Sequence, residues 1–133
     1  MTLNSKRPKY SIMINLAEVN YKVLSDDDTD EPGDKFEYSL SNYTNLQNGR
    51  MWHVTVTRLV ETLYEAKLLY KLRIIWRGKG DHTDLEYEQS LKPAMSMIAD
   101  RSSHILSTLS FDSYMNPFIT PPFFDDVSEE DED

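Results

Sequence analysis

The side chains best suited to chemistry are three histidines, an acid-rich run and one glycine-lysine-glycine turn. His53, His82 and His104 are far apart and there is no cysteine, so a zinc site would need all three imidazoles and a carboxylate to converge. Asp100, Ser102 and His104 are the residue types of a nucleophile, base and acid. Residues two apart on a helix point to different sides, however, and no Gly-x-Ser-x-Gly turn presents the serine. Asp26, Asp28, Asp30, Asp34 and Glu37 fall at positions 1, 3, 5, 9 and 12 of a calcium-loop template. The glycine that the template needs for its sharp turn is Glu31, followed by Pro32, and both flanks alternate like strands. We therefore read Asp26 to Asp34 as a solvated acidic loop. Gly78-Lys79-Gly80 lacks the Gly-Lys-Ser/Thr sequence and the strand-to-helix setting of a phosphate loop. With no catalytic signature in the sequence, we expect a protein that is not an enzyme and carries no cofactor and no metal.

Charge narrows the reading further. The net charge of −9 is concentrated in two runs without a base: six acids in Asp26 to Asp34 and seven in Asp125 to Asp133. Setting these aside leaves ten acids against fourteen bases, a body of about +4. Runs of like charge repel themselves and stay solvated. Arg73, Arg77 and Lys79 beside Trp76 would suit phosphate, but the tethered acids would compete for them, so no nucleic-acid partner is expected. The first residues form no apolar signal segment, and no apolar run reaches the length of a membrane span. Together with the missing cysteines this leads us to expect a cytoplasmic protein without membrane insertion.

The element that must position everything else is Leu63 to Gly78. Tyr64, Ala66, Leu68, Tyr70, Leu72, Ile74 and Trp76 alternate with a mostly charged set. Period two puts the seven on one face of a strand, and a helix would scatter them. Tyr10, Ile12, Ile14 and Leu16 alternate likewise, then the parity shifts to Val19, Tyr21 and Val23. One extra residue near Ala17 and Glu18, a β-bulge, restores the facing. Phe36, Tyr38 and Leu40 begin a second strand, and Trp52, Val54, Val56, Arg58 and Val60 form a third. Asn48-Gly49 is a hairpin signal in the polar stretch before the third strand. Thr83 and Glu86 suit a capping box opening a short helix. Ser90 as N-cap and Pro93 in the first turn then suit a main helix. Its face repeats at Leu91, Met95, Ile98, Ser102, Ile105, Leu106 and Leu109. Phe111 to Phe124, rich in aromatics and proline, reads as an extended arm laid across the body. We expect one domain over residues 1–124 and a disordered acidic tail over 125–133. Leu69 and Ile75, apolar on the charged face of the long strand, point to a homo-oligomer.

This order of elements resembles the SecB family of protein-export chaperones. Tyr10 to Tyr21, with Glu18-Val19-Asn20-Tyr21 at its end, is similar to that family's opening strand. Phe36 to Leu40 and Trp52 to Thr57 resemble its second and third strands. Lys92-Pro93-Ala94-Met95 and Phe111 to Phe124 resemble its proline-started helix and its Phe- and Pro-rich end. The resemblance implies an α+β fold, a four-stranded antiparallel sheet backed by one main C-terminal helix plus a short helix, assembled as a dimer or tetramer.

In function, the resemblance implies a holdase that binds unfolded polypeptide clients without ATP, in an apolar groove between helix and sheet. The matched positions are Tyr21, Ile75, Trp76, Met95 and Ile98. The alternative on the same scaffold is an adaptor with one dedicated protein partner. The family's export motor SecA docks on acidic groups of the sheet. Glu18 matches one such position, whereas Lys22 fills another and the fourth strand offers Lys67 and Leu69. Weak or absent SecA binding is the expectation. The crossover after the first strand, aromatic in the family, is here the acidic loop.

Overall fold

The computed structural model describes residues 9–24, 34–60, 63–77, 82–114 and 120–125. The acidic loop, the glycine-lysine-glycine turn and the tail beyond Asp125 lie outside the described residues, and so do the readings made on them. Five strands run in chain order as β1 (Tyr10–Val23), β2 (Lys35–Leu40), β3 (Thr44–Leu46), β4 (Gly49–Val60) and β5 (Tyr64–Trp76), followed by one helix, α1 (Asp84–Tyr114). They form an antiparallel sheet of order β1-β5-β4-β2, with β3 paired to β4. The fold is thus α+β, as expected, and the sheet has one strand more than expected.

Alternation explains the central strand. The seven apolar residues of β5 are all buried, and each partner across the ladder turns its side chain to the same face. In β1 the register slips by one residue between Leu16 and Glu18. That bulge keeps Val19, Tyr21 and Val23 on the face of Tyr10, Ile12 and Ile14, paired with Leu68, Ala66 and Tyr64.

The extra strand lies where the composition looked like loop. Thr44–Leu46 folds back on Gly49 to Met51, and the corner residues are Gln47 and Asn48, with Asn48 at φ 63°. The Asn-Gly pair therefore lies one residue past the hairpin corner: Asn48 takes the left-handed position and Gly49 already belongs to β4. Glycine is required there by space. A Cβ on Gly49 would meet the Ile74 carbonyl oxygen at 2.3 Å and Ile75 Cδ1 at 2.7 Å.

The helix corrects the expectation of two pieces. Thr83 and Glu86 do form a capping box, Thr83 N–H donating to Glu86 Oε1 (2.8 Å) and Glu86 N–H to Thr83 Oγ1 (3.1 Å). From there α1 continues for 31 residues with Pro93 inside it. Ser90 caps nothing; it is buried, and its hydroxyl donates to the Tyr87 carbonyl at 2.8 Å. Pro93 leaves the Gln89 carbonyl without its helical donor. Both residues are exposed, so water can take that place and the helix passes through. A helix of this length spans about 46 Å, matching the roughly 43 Å of β5.

Candidate functional site

One long helix lies across the sheet, packed on β5 and β1. Its inward positions are small or slender, with Ala94, Ala99 and Ser102 buried between Met95, Ile98 and Leu106. Small residues let the backbone approach the large side chains of β5. The closest approach is polar: the Tyr70 hydroxyl and Ser102 Oγ are 2.7 Å apart and buried. Burial pushes the Tyr70 phenol above its ordinary value of 10.0, while the bond to Ser102 and the Arg101 charge pull the other way.

The start of α1 is fixed by aromatic and cationic packing. The Arg50 guanidinium lies 3.9 Å from the Tyr43 ring and 4.1 Å from the Tyr87 ring, and donates to Asp84 Oδ1 at 2.8 Å. Beside it Trp76 stacks on His82 at 4.2 Å and meets Tyr10 at 5.0 Å. His82 Nδ1 is 3.4 Å from Glu86 Oε1. The carboxyl of Glu86 sits below its ordinary value because the Thr83 backbone N–H bonds it, with His82 adding to the effect.

A single helix does not cover both flanks. On β1, Leu16, Val19 and Val23 remain exposed on the helix side, with Tyr21 half-buried between them and in contact with Tyr64 at 5.1 Å. On the opposite flank Tyr38 and Leu40 of β2 and the nearby Tyr43 are exposed. The C-terminal segment reaches this flank. Phe124 packs on Phe36 at 4.8 Å and on Tyr38 at 4.9 Å. Asp125 N–H donates to the Phe36 carbonyl, and Phe36 N–H donates to Asp125 Oδ2, both at 2.8 Å. Upstream, Ser103 Oγ donates to the carbonyl of Thr120, a buried residue. Asp125, counted with the solvated tail from the sequence, is therefore an edge cap on β2. Since Phe36 turns its backbone outward, alternation turns those of Tyr38 and Leu40 outward too.

The five groove positions separate. Trp76, Met95 and Ile98 lie buried in the helix–sheet seam, and Tyr21 sits at its margin. Ile75, pointing through the opposite face beside Gly49, does not join them. Glu18 is also on that opposite face, exposed, and accepts from Asn20 Nδ2 at 2.9 Å. The flank residues Val19, Val23, Tyr38 and Leu40 were the ones sequence reasoning left out. Their signal was an apolar alternation on four strands too wide for one helix to cover.

Ser102 does not join Asp100 and His104, which line a cavity of about 650 Å³ together with Ser103 and Ser107. Ser102 is committed to Tyr70 on the sheet side, while His104 is exposed on the other side of the helix. His53 lies on the sheet face turned away from α1. Among the described residues no cluster of three His, Cys, Asp or Glu side chains is placed to hold a metal, and no helix is long and apolar enough to cross a membrane.

Comparison with known proteins identifies the architecture. No family model and no curated sequence matches the chain. Among solved structures it is similar to the Mycobacterium tuberculosis SecB-like chaperone Rv1957, in complex with a ChAD peptide from the HigA1 antitoxin. The TM-score is 0.59 at 10% identity, over 86% of this chain and 88% of that one. A Streptococcus agalactiae protein of unknown function matches with a TM-score of 0.48 and 10% identity, over 84% and 97% of the two chains. The fold is SecB-like.

Proposed function

We propose that the chain is a SecB-like, ATP-independent holdase that binds unfolded or non-native polypeptides on the apolar flanks beside α1. The observation that carries this reading is the pair of exposed stripes on the helix side: Leu16, Val19 and Val23 along β1, Tyr38 and Leu40 along β2. Extended segments suit both. Residues two apart in a client fall over residues two apart in the strand, and the outward backbone groups of Tyr38 and Leu40 can add a strand. Burying one Leu, Val or Phe of a client is worth about 1.5–3 kcal/mol. Three or four such contacts, less the cost of ordering the client, give roughly micromolar binding. In this reading Tyr21 borders the client, and Trp76, Met95 and Ile98 form the floor that holds the stripes in place.

The same exposed stripes support a homo-oligomer, dimer or tetramer, in which a second copy extends the apolar surface. A cytoplasmic setting fits the cysteine-free sequence. Service to SecA is not part of the proposal, because on the sheet face of Glu18 the next row carries Lys67 and the row beyond it Lys22. A second reading, an adaptor for one dedicated partner, is favoured by the similar mycobacterial chaperone, whose complex holds one antitoxin peptide.

The test is light scattering of two unrelated, chemically denatured proteins diluted into buffer with the purified chain. Suppression of both near stoichiometric ratio, unchanged by ATP, is expected. Failure to suppress either would overturn the holdase. One stoichiometric partner from native lysate, without general suppression, would establish the adaptor.

A further inference from the structure

The sheet face turned away from α1 carries different chemistry at its two ends. Paired residues share a face, so the register lays this side out in rows. Toward the bulged end run Lys22–Glu65–Leu59–Lys35, Asn20–Lys67–Thr57–Glu37 and Glu18–Leu69–Thr55–Ser39. Three lysines and three glutamates share those rows. Toward the other end run Asn15–Lys71–His53, Met13–Arg73–Met51 and Ser11–Ile75–Gly49, without one acid. Lys9 and Arg77, joined by a backbone hydrogen bond of 2.9 Å at the rim, add two cations. Arg73 donates to Asn15 Oδ1 at 3.2 Å. Lys71 and Arg73 form no ion pair with a carboxylate among the described residues.

Between these cations the surface is apolar. Met13 is 46% exposed, and Met51 and Ile75 are half-buried. The one ring on these rows is the imidazole of His53, because Tyr10, Trp52, Tyr70 and Trp76 all face α1. A single-stranded nucleic acid would find charge but no run of rings on which successive bases could stack. An extended polypeptide finds both things it needs. Lys71 and Arg73 are two residues apart on one strand, about 6.6 Å, the spacing of alternate side chains in another extended chain.

We propose that this end of the open face, centred on Lys71, Arg73 and Ile75, docks an acidic polypeptide segment carrying apolar side chains between its carboxylates. It is a second interaction surface, on the opposite side of the sheet from the client flanks and independent of them. Complementary charge sets the partner, and Met13, Met51 and Ile75 receive its apolar residues.

Fluorescence anisotropy at about 50 mM salt tests this, with a labelled twelve-residue peptide of Glu and Asp interspersed with Leu and Val. Controls are the same peptide with Lys for each acid and a single-stranded oligonucleotide of equal length. The acidic peptide is expected to bind, and to lose at least tenfold when Lys71→Glu and Arg73→Glu are combined. The milder Lys71→Gln with Arg73→Gln should weaken it in the same direction, covering any loss of folding by the charge reversal. Lys22→Glu, at the balanced end, should change binding by less than twofold. No binding, an equal loss from Lys22→Glu, or tighter binding of the oligonucleotide would overturn the proposal. Binding that appears only after residues 126–133 are removed would overturn it in favour of the chain's own tail as occupant.

Discussion

Tyr70 ties the helix to the sheet through one buried hydroxyl pair. Its phenol is raised above 10.0 by burial, so the folded state favours the neutral form. The corresponding stability is fully present below the unfolded value near pH 10 and is lost as pH rises through the folded one. Tyr70→Phe should therefore flatten the fall in melting temperature between pH 9 and pH 11. At neutral pH it should cost about 1–3 kcal/mol, because Ser102 keeps a buried hydroxyl without its partner. A melting curve at each pH reads both effects. Gly49→Ala is expected to cost about 1–3 kcal/mol in a denaturant titration, since its Cβ would collide with the carbonyl of Ile74 rather than with a movable side chain. The sequence pointed to Gly49 as half of a turn. What fixes it is the close approach of β5, which no local pattern encodes.

The elements differ in how openly the chain announces them. β5 was readable because its alternation is nearly unbroken, and the bulge in β1 because apolar parity shifts once at Ala17–Glu18. β3 was hidden: Thr44, Asn45 and Leu46 lie in a mostly polar stretch and pair only because the Gln47–Asn48 corner folds them onto β4. The start of the main helix was misplaced because Pro93 usually marks a first turn, whereas here the Thr83 box had already nucleated the helix and Pro93 sits on its wet side. Thr83→Ala is accordingly expected to lower stability by about 1 kcal/mol, while Ser90→Ala should leave the N-terminal capping hydrogen bonds intact. Helicity by circular dichroism on heating separates the two. The docking of the C-terminal segment on β2 was half visible, as aromatics in need of cover. Its anchor, the Asp125–Phe36 pair, joins groups 89 residues apart and was not.

At the scale of the whole molecule, one helix on a wide sheet leaves two apolar flanks and, among the described residues, one face without a covering element. Four of the five groove positions inferred from the family resemblance mark the seam between helix and sheet, Ile75 facing the other way, but that seam is packed, and the exposed apolar surface lies beside it. Sequence can rank residues by facing; how far a single helix reaches across the strands is a property of packing. The acidic tail beyond the β2 cap is expected to be dispensable for folding. Removing Val127 to Asp133 should shift the melting temperature by less than about 5 °C, roughly 1 kcal/mol for a domain of this size. Titration against SecA at physiological salt is expected to show no submicromolar binding, since Lys67 and Lys22 occupy the two rows next to Glu18 on that face.

The central claim is that non-native chains bind the helix-side flanks. A photo-crosslinking residue placed in turn at Val23, at Leu40 and at Thr57 tests it most directly, using a denatured client of balanced charge. Val23 and Leu40 are exposed on the helix side, and Thr57 faces the open side at its charge-balanced end. The expected result is client adducts from Val23 and Leu40 and none above background from Thr57. Adducts from Thr57 equal to or exceeding those from both flank positions would contradict the account.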